Sequence, residues 1–136
     1  MIAGPGPINL FEFEPIAKER LPRLEYDYIA GGATDEISVR RNRSAFESLA
    51  LRPRVLRGVS DPDLRTTVLG TSVSFPVLIA PAGGHKKAHP DGESGVHRVL
   101  EILREEIEIT MAKCGRPTID SIDSTLVIKA PPLRAD

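Results

Sequence analysis

The chain has 136 residues, the size of one ordinary domain. Hydrophobic residues make up 40% and charged residues 27%, which places it among globular rather than disordered chains. Eighteen basic against nineteen acidic side chains leave a formal net charge of −1, so no net positive field exists to hold nucleic acid or an anionic membrane, and neither is expected as a partner.

Gly4, Pro5, Gly6 and Pro7 predict an extended start. Asn9 is placed to cap a helix over 10–20, where Leu10, Phe13, Ile16, Ala17 and Leu21 recur at helical spacing. Pro15 either flaws that helix or opens a shorter one. Pro22 suits the first turn of a second helix that runs to Ala30 and ends at Gly31 and Gly32. Asp35 begins a third helix, with Glu36 in its first turn, where an acid favours the dipole. Ile37, Val39, Ala45, Phe46 and Leu49 supply its apolar contacts. Arg40, Arg41 and Arg43 mark its wet face or a grip for a partner's carboxylates.

Beyond residue 50 the period changes. Residues 51–56 read as a short strand, and the Arg52-Pro53 step puts it at an edge. Residues 66–69 and 72–75 read as the arms of a hairpin turning at Gly70-Thr71. Residues 76–80, PVLIA, are a continuous apolar run stopped by Pro81, the pattern of a strand buried on both faces of a parallel sheet. Residues 82–93 form a loop rich in Gly, Lys and His. The clearest helix covers 95–113, with Val96, Val99, Leu100, Leu103, Ile107 and Met111 on one stripe and Glu101, Arg104, Glu105 and Glu108 away from it. Gly115 and then Pro117 stop it. The tail beyond residue 120 alternates weakly.

The lone Cys114 excludes an internal disulfide framework and a multi-cysteine zinc site. With no basic cluster or base beside it in sequence, it is not expected to act as a nucleophile. His85 and His89 are four apart, with Asp91 and Glu93 nearby, which invites a metal reading. Gly83, Gly84 and Pro90 break the helix that would hold them on one face, so no metal site is expected. No apolar run approaches the ~20 residues that span a bilayer, and the first residues lack the pattern of a signal peptide. The expected location is cytoplasmic.

Four strings, in order, carry a family pattern: IAKERLPRLEYDYIAGGATDE (16–36), RNRSAFESLALRPRVL (41–56), VSDPDLRTTVLGTSVSFPVLIAPAG (59–83) and AHPDGE (88–93). Together they resemble the N-terminal part of the FMN-dependent α-hydroxy-acid oxidases and dehydrogenases, the glycolate oxidase, lactate dehydrogenase and mandelate oxidase type. Residues 94–123, SGVHRVLEILREEIEITMAKCGRPTIDSID, resemble that family's last barrel helix and C-terminal segment. The resemblance therefore implies an α/β chain that is an incomplete TIM barrel. Residues 1–93 would supply its N-terminal helices, hairpin and first barrel strand, and residues 94–136 its last helix and tail. A complete barrel takes about 250 residues, more than this chain holds.

The same resemblance implies FMN as cofactor and a small (S)-2-hydroxy acid as substrate, oxidised to the 2-oxo acid, with oxygen as acceptor in the oxidases. Tyr28 matches a tyrosine that hydrogen-bonds substrate. Ala80, Pro81 and Ala82 match the end of the first barrel strand, whose backbone lies against the flavin ring. No catalytic residue carries over, because the family's catalytic His and Arg lie on strands and loops without counterpart here. The expectation is an inactive chain; the alternatives are a truncated remnant or an accessory chain that docks on an intact homologue. Without neighbours, Val77, Leu78 and Ile79 would each forfeit about 1.5–3 kcal/mol of burial, which predicts homo-oligomer formation or pairing with that homologue.

Overall fold

The structure is a computed structural model that describes residues 6–81 and 92–131. The predicted Gly-Pro start up to Pro5 and the loop residues 82–91 lie outside the described residues. Contacts divide the chain into two compact units. One joins residues 1–31 to 77–107, and the other joins 32–76 to 108–136. Each unit thus combines an early and a late stretch of sequence.

The first unit opens with a cap. The Asn9 carboxamide oxygen accepts from the backbone N–H groups of Phe11 and Glu12, and Glu12 in turn accepts from the Ile8 N–H at 2.9 Å. These bonds satisfy donors that a helix start leaves without partners. A 3-10 turn over Leu10–Glu12 then leads into α1 (Phe13–Arg20). Pro15 is the third residue of α1, inside the first turn, where its missing N–H costs no intrahelical bond. α2 (Arg23–Ala30) starts just after Pro22, whose carbonyl accepts from Glu25 and Tyr26. The Tyr26 hydroxyl donates to Glu14 at 3.2 Å and Lys18 Nζ stands 5.9 Å from the Tyr26 ring centre, so α1 and α2 are linked through side chains.

The predicted long helix is present as α4 (Gly92–Cys114), three residues longer at its start than expected. Its residues 92–107 belong to the first unit. Val96, Val99, Leu100, Leu103 and Ile107 are half-buried, while Ile102, which the predicted stripe left out, is only 1% exposed.

One expectation fails here. Residues 76–80 were read as a doubly buried strand, yet Ser74–Pro76 form a bend and 77–80 carry no regular secondary structure. Leu78 is 64% and Ile79 54% exposed. A strand exists only where neighbours take up its N–H and C=O groups. Among the described residues none does so; the run has no regular structure, with Val77 half-buried and Leu78 and Ile79 open.

In the second unit, α3 covers Ile37–Glu47 and begins two residues later than predicted. Glu36 takes a left-handed φ of 54° and lies outside the helix as its cap; its carboxylate accepts from Gly32 N–H at 3.0 Å. All of α3 is exposed, so Ile37, Val39 and Phe46 do not make the burial expected of them.

β1 (Leu49–Leu51) pairs antiparallel with β4 (Val127–Lys129), with Leu49 opposite Lys129 and Leu51 opposite Val127. The strand predicted over 51–56 therefore ends where it was meant to start. Pro53 has no N–H for a ladder, and the chain beyond Leu51 is irregular. β2 (Thr66–Val68) and β3 (Thr71–Val73) form the expected hairpin, but Val68 faces Thr71, so the two-residue turn is Leu69-Gly70 and not Gly70-Thr71. Both turn residues have positive φ, 48° and 80°, the arrangement whose twist suits a tight hairpin.

Leu64, Met111, Cys114 and Leu126 form the buried apolar set of this unit. At the end of α4, Gly115 turns left-handed with φ 65°. Its N–H bonds Ala112 O at 3.1 Å and the Arg116 N–H bonds Met111 O at 2.9 Å, the paired bonds of a Schellman stop.

Candidate functional site

The residues matched to substrate and cofactor fall in the first unit. Tyr28 lies in the last turn of α2 and is 85% exposed. Its hydroxyl has no hydrogen-bond partner among the described residues. Ala80 and Pro81 end the irregular segment and are exposed. Ala82 lies outside the described residues. No hydrogen bond or ion pair joins Tyr28 to residues 77–81 among the described residues.

A flavin mononucleotide needs a wall for its ring, a cation for its phosphate and a cation where the reduced ring gains charge. Ala80 and Pro81 offer small side chains for a wall, but on open surface. Two open depressions of about 450 and 530 Å³ are lined by residues of 53–61 and 112–117, and neither includes Tyr28, Ala80 or Pro81. The described residues therefore do not assemble a flavin site.

The ordered polar chemistry lies elsewhere, in the second unit. Arg116 is buried, and its guanidinium forms a fork with Asp123, Nη1 to Oδ2 and Nη2 to Oδ1 at 3.0 Å each. Nη1 also donates to the Ser121 carbonyl and Nη2 to Thr125 Oγ1 at 3.2 Å. The Thr125 hydroxyl and backbone N–H both donate to Asp123 Oδ1. Thr125 first, and Arg116 second, hold the Asp123 carboxyl down at about 2. This cluster ties the C-terminal segment to the end of α4. Its exposed carboxylate and hydroxyl, on Asp123 and Thr125, are both engaged in these bonds, which hold the segment in place.

Asp63 forms a second anchor. Its N–H bonds Pro117 O at 2.8 Å, and Asp63 bridges to Thr118. Its carboxylate accepts from Arg65 Nε and Nη2, and those bonds hold it at about 2. Sequence reading missed both clusters. The Gly-Arg-Pro step after α4 was a signal for the first only, since it marks the helix stop at which Arg116 stands.

His97, the described member of the three histidines, is exposed, with Nδ1 3.7 Å from Glu101. His85 and His89 lie outside the described residues. No group of three metal-ligating side chains occurs among the described residues. Cys114 is a buried free thiol. No helix among the described residues is long and apolar enough to cross a membrane.

Comparison with known proteins places the chain. Residues 17–94 and 91–129 match the family described as FMN-dependent dehydrogenase, and the chain belongs to that family, whose cofactor is FMN. It is 49% identical over 92 residues to the peroxisomal (S)-2-hydroxy-acid oxidase GLO4 of Oryza sativa subsp. indica, covering 68% of this chain and 25% of that protein. It is 48% identical over 117 residues to glycolate oxidase 1 of Zea mays, covering 86% and 31%. Among solved structures it resembles a soluble mutant of the membrane-associated (S)-mandelate dehydrogenase from Pseudomonas putida, with 37% identity, a TM-score of 0.58 and coverage of 67% and 26%. A lactate oxidase of Pediococcus acidilactici gives 36%, 0.58 and coverage of 69% and 26%. The chain thus spans only a quarter to a third of the length of these relatives.

Proposed function

We propose that this chain carries the N-terminal helices and hairpin of an FMN-dependent (S)-2-hydroxy-acid oxidoreductase and the sequence matched to its first barrel strand, followed by its last helix and C-terminal segment, and that by itself it is inactive. In a completed barrel, Tyr28 would hydrogen-bond a small 2-hydroxy acid. The backbone of Ala80, Pro81 and Ala82 would lie against the flavin. The observation that carries this reading is the state of residues 77–80: family-matched sequence without regular secondary structure, with Leu78 and Ile79 open and no ladder partner among the described residues. A barrel wall is made by hydrogen-bonded neighbours, so one segment alone neither closes a barrel nor seats a flavin. The buried thiol of Cys114 suits a reducing compartment, and a cytoplasmic location belongs to the same reading.

The experiment is an absorbance spectrum of the purified chain after incubation with excess FMN and desalting. The expected result is a colourless protein that does not oxidise glycolate, lactate or mandelate. A stoichiometric flavin spectrum that bleaches under nitrogen on addition of any of these acids overturns the proposal.

A further inference from the structure

The larger depression, about 530 Å³, lies between the irregular loop after β1 and the last turn of α4. Arg54, Arg57 and Lys113 line it together with Val55, Leu56 and Ala112, and no acidic residue does. None of the three cations has an ion pair or a side-chain hydrogen bond among the described residues.

Their stems are held in place. The Arg54 N–H donates to Lys113 O at 3.1 Å, which joins loop to helix. A Cβ on Gly115 would stand 2.5 Å from Arg57 Cγ and 3.4 Å from Arg54 Cβ, so both arginines rest against the bare glycine. A helix C-terminus attracts cations, but its end carries only about half a negative charge. Three full charges exceed what that dipole neutralises.

The loop tip adds a second feature. Leu56 has a left-handed φ of 60° and is fully exposed, and Val55 beside it is exposed as well. A leucine in that conformation is disfavoured and here gains no burial in return. The surface therefore presents an apolar tip beside three cations that have no ion pair among the described residues.

We infer that this face docks an extended acidic segment of a partner protein. Its carboxylates would meet Arg54, Arg57 and Lys113, and an intervening apolar side chain would cover Val55 and Leu56. Charge complementarity selects the acidic class. The exposed apolar tip selects a polypeptide over a small inorganic anion. The chain's net charge of −1 supplies no long-range field for a polyanion such as nucleic acid or an anionic bilayer, so recognition is confined to contact distance. The inference stands independently of the flavin-enzyme reading.

The test is fluorescence anisotropy of the full chain with a labelled peptide of alternating glutamate and leucine, at low and at high salt. Saturable binding that salt weakens is expected, with Lys113→Glu and Arg57→Gln each lowering affinity about tenfold, the equivalent of about 1.4 kcal/mol. Arg23→Gln, an exposed cation on α2, should leave it unchanged. Circular dichroism confirms that each variant folds, and the two depression variants are read separately so that one misfolded protein does not decide the result. Equal binding of a glutamine-for-glutamate peptide overturns the inference. So does indifference to both depression variants, or displacement of the peptide by phosphatidylserine vesicles at matched charge.

Discussion

Leu69 shows what single residues contribute and where they conflict. It occupies the first position of a two-residue turn that demands positive φ, where Asn, Asp or Gly is the comfortable choice. Its side chain is fully exposed, so the leucine gains nothing from packing. Leu69→Asn should raise stability by about 1 kcal/mol, read as a higher urea midpoint.

Asp63 and Asp123 set the response to acid. Both carboxyls sit at about 2 in the folded chain against an ordinary 3.8. Between those values the folded chain binds fewer protons than the unfolded one, so the stability they confer is complete above about pH 5 and is lost as pH falls through 4 toward 2. Urea midpoints measured across that window should fall with pH. Asp123→Asn should flatten the fall, because one of the two titrating groups is gone.

At the scale of elements, the helices with local instructions came out close to expectation. Asn9, the Pro22 break and the Gly115 stop act through bonds made within a few residues of themselves. α3 started late because Glu36 turned left-handed to reach back to Gly32, a choice that periodicity does not report. α4 carries the most consequential packing. Ile102 is 1% exposed, and Ile102→Ala should cost about 2–5 kcal/mol, visible as a lowered thermal midpoint.

The strand readings divide along the same line. The hairpin is nearly local and is present with its turn one residue earlier than expected and its second arm two residues shorter at the end. β1 needed β4, which lies more than seventy residues away, and its position was misplaced. Residues 76–80 have the composition of a buried strand, but composition does not supply a neighbour.

For the molecule as a whole, open apolar surface is the governing fact. The buried apolar residues are few among the described residues, while Leu78, Ile79, Phe46 and Leu56 are open. An exposed apolar segment whose backbone has no ladder partner among the described residues is a template for pairing with another chain. Ile79→Lys should therefore reduce self-association on a sizing column at high concentration, while changing the stability of the monomer by less than about 0.5 kcal/mol.

Two things were determined by the amino-acid sequence alone: membership of an FMN enzyme family, and the helices whose caps and stops are written beside them. Both rest on information carried in short stretches, either matching strings or bonds closed within a turn. Tertiary structure alone decided that Tyr28, Ala80 and Pro81 are exposed, that Arg116 and Asp123 anchor the tail, and that the PVLIA run is not a strand. Each of these depends on what lies across space from a residue. A barrel wall, a half-buried ion pair and a flavin pocket all require partners that no single segment contains.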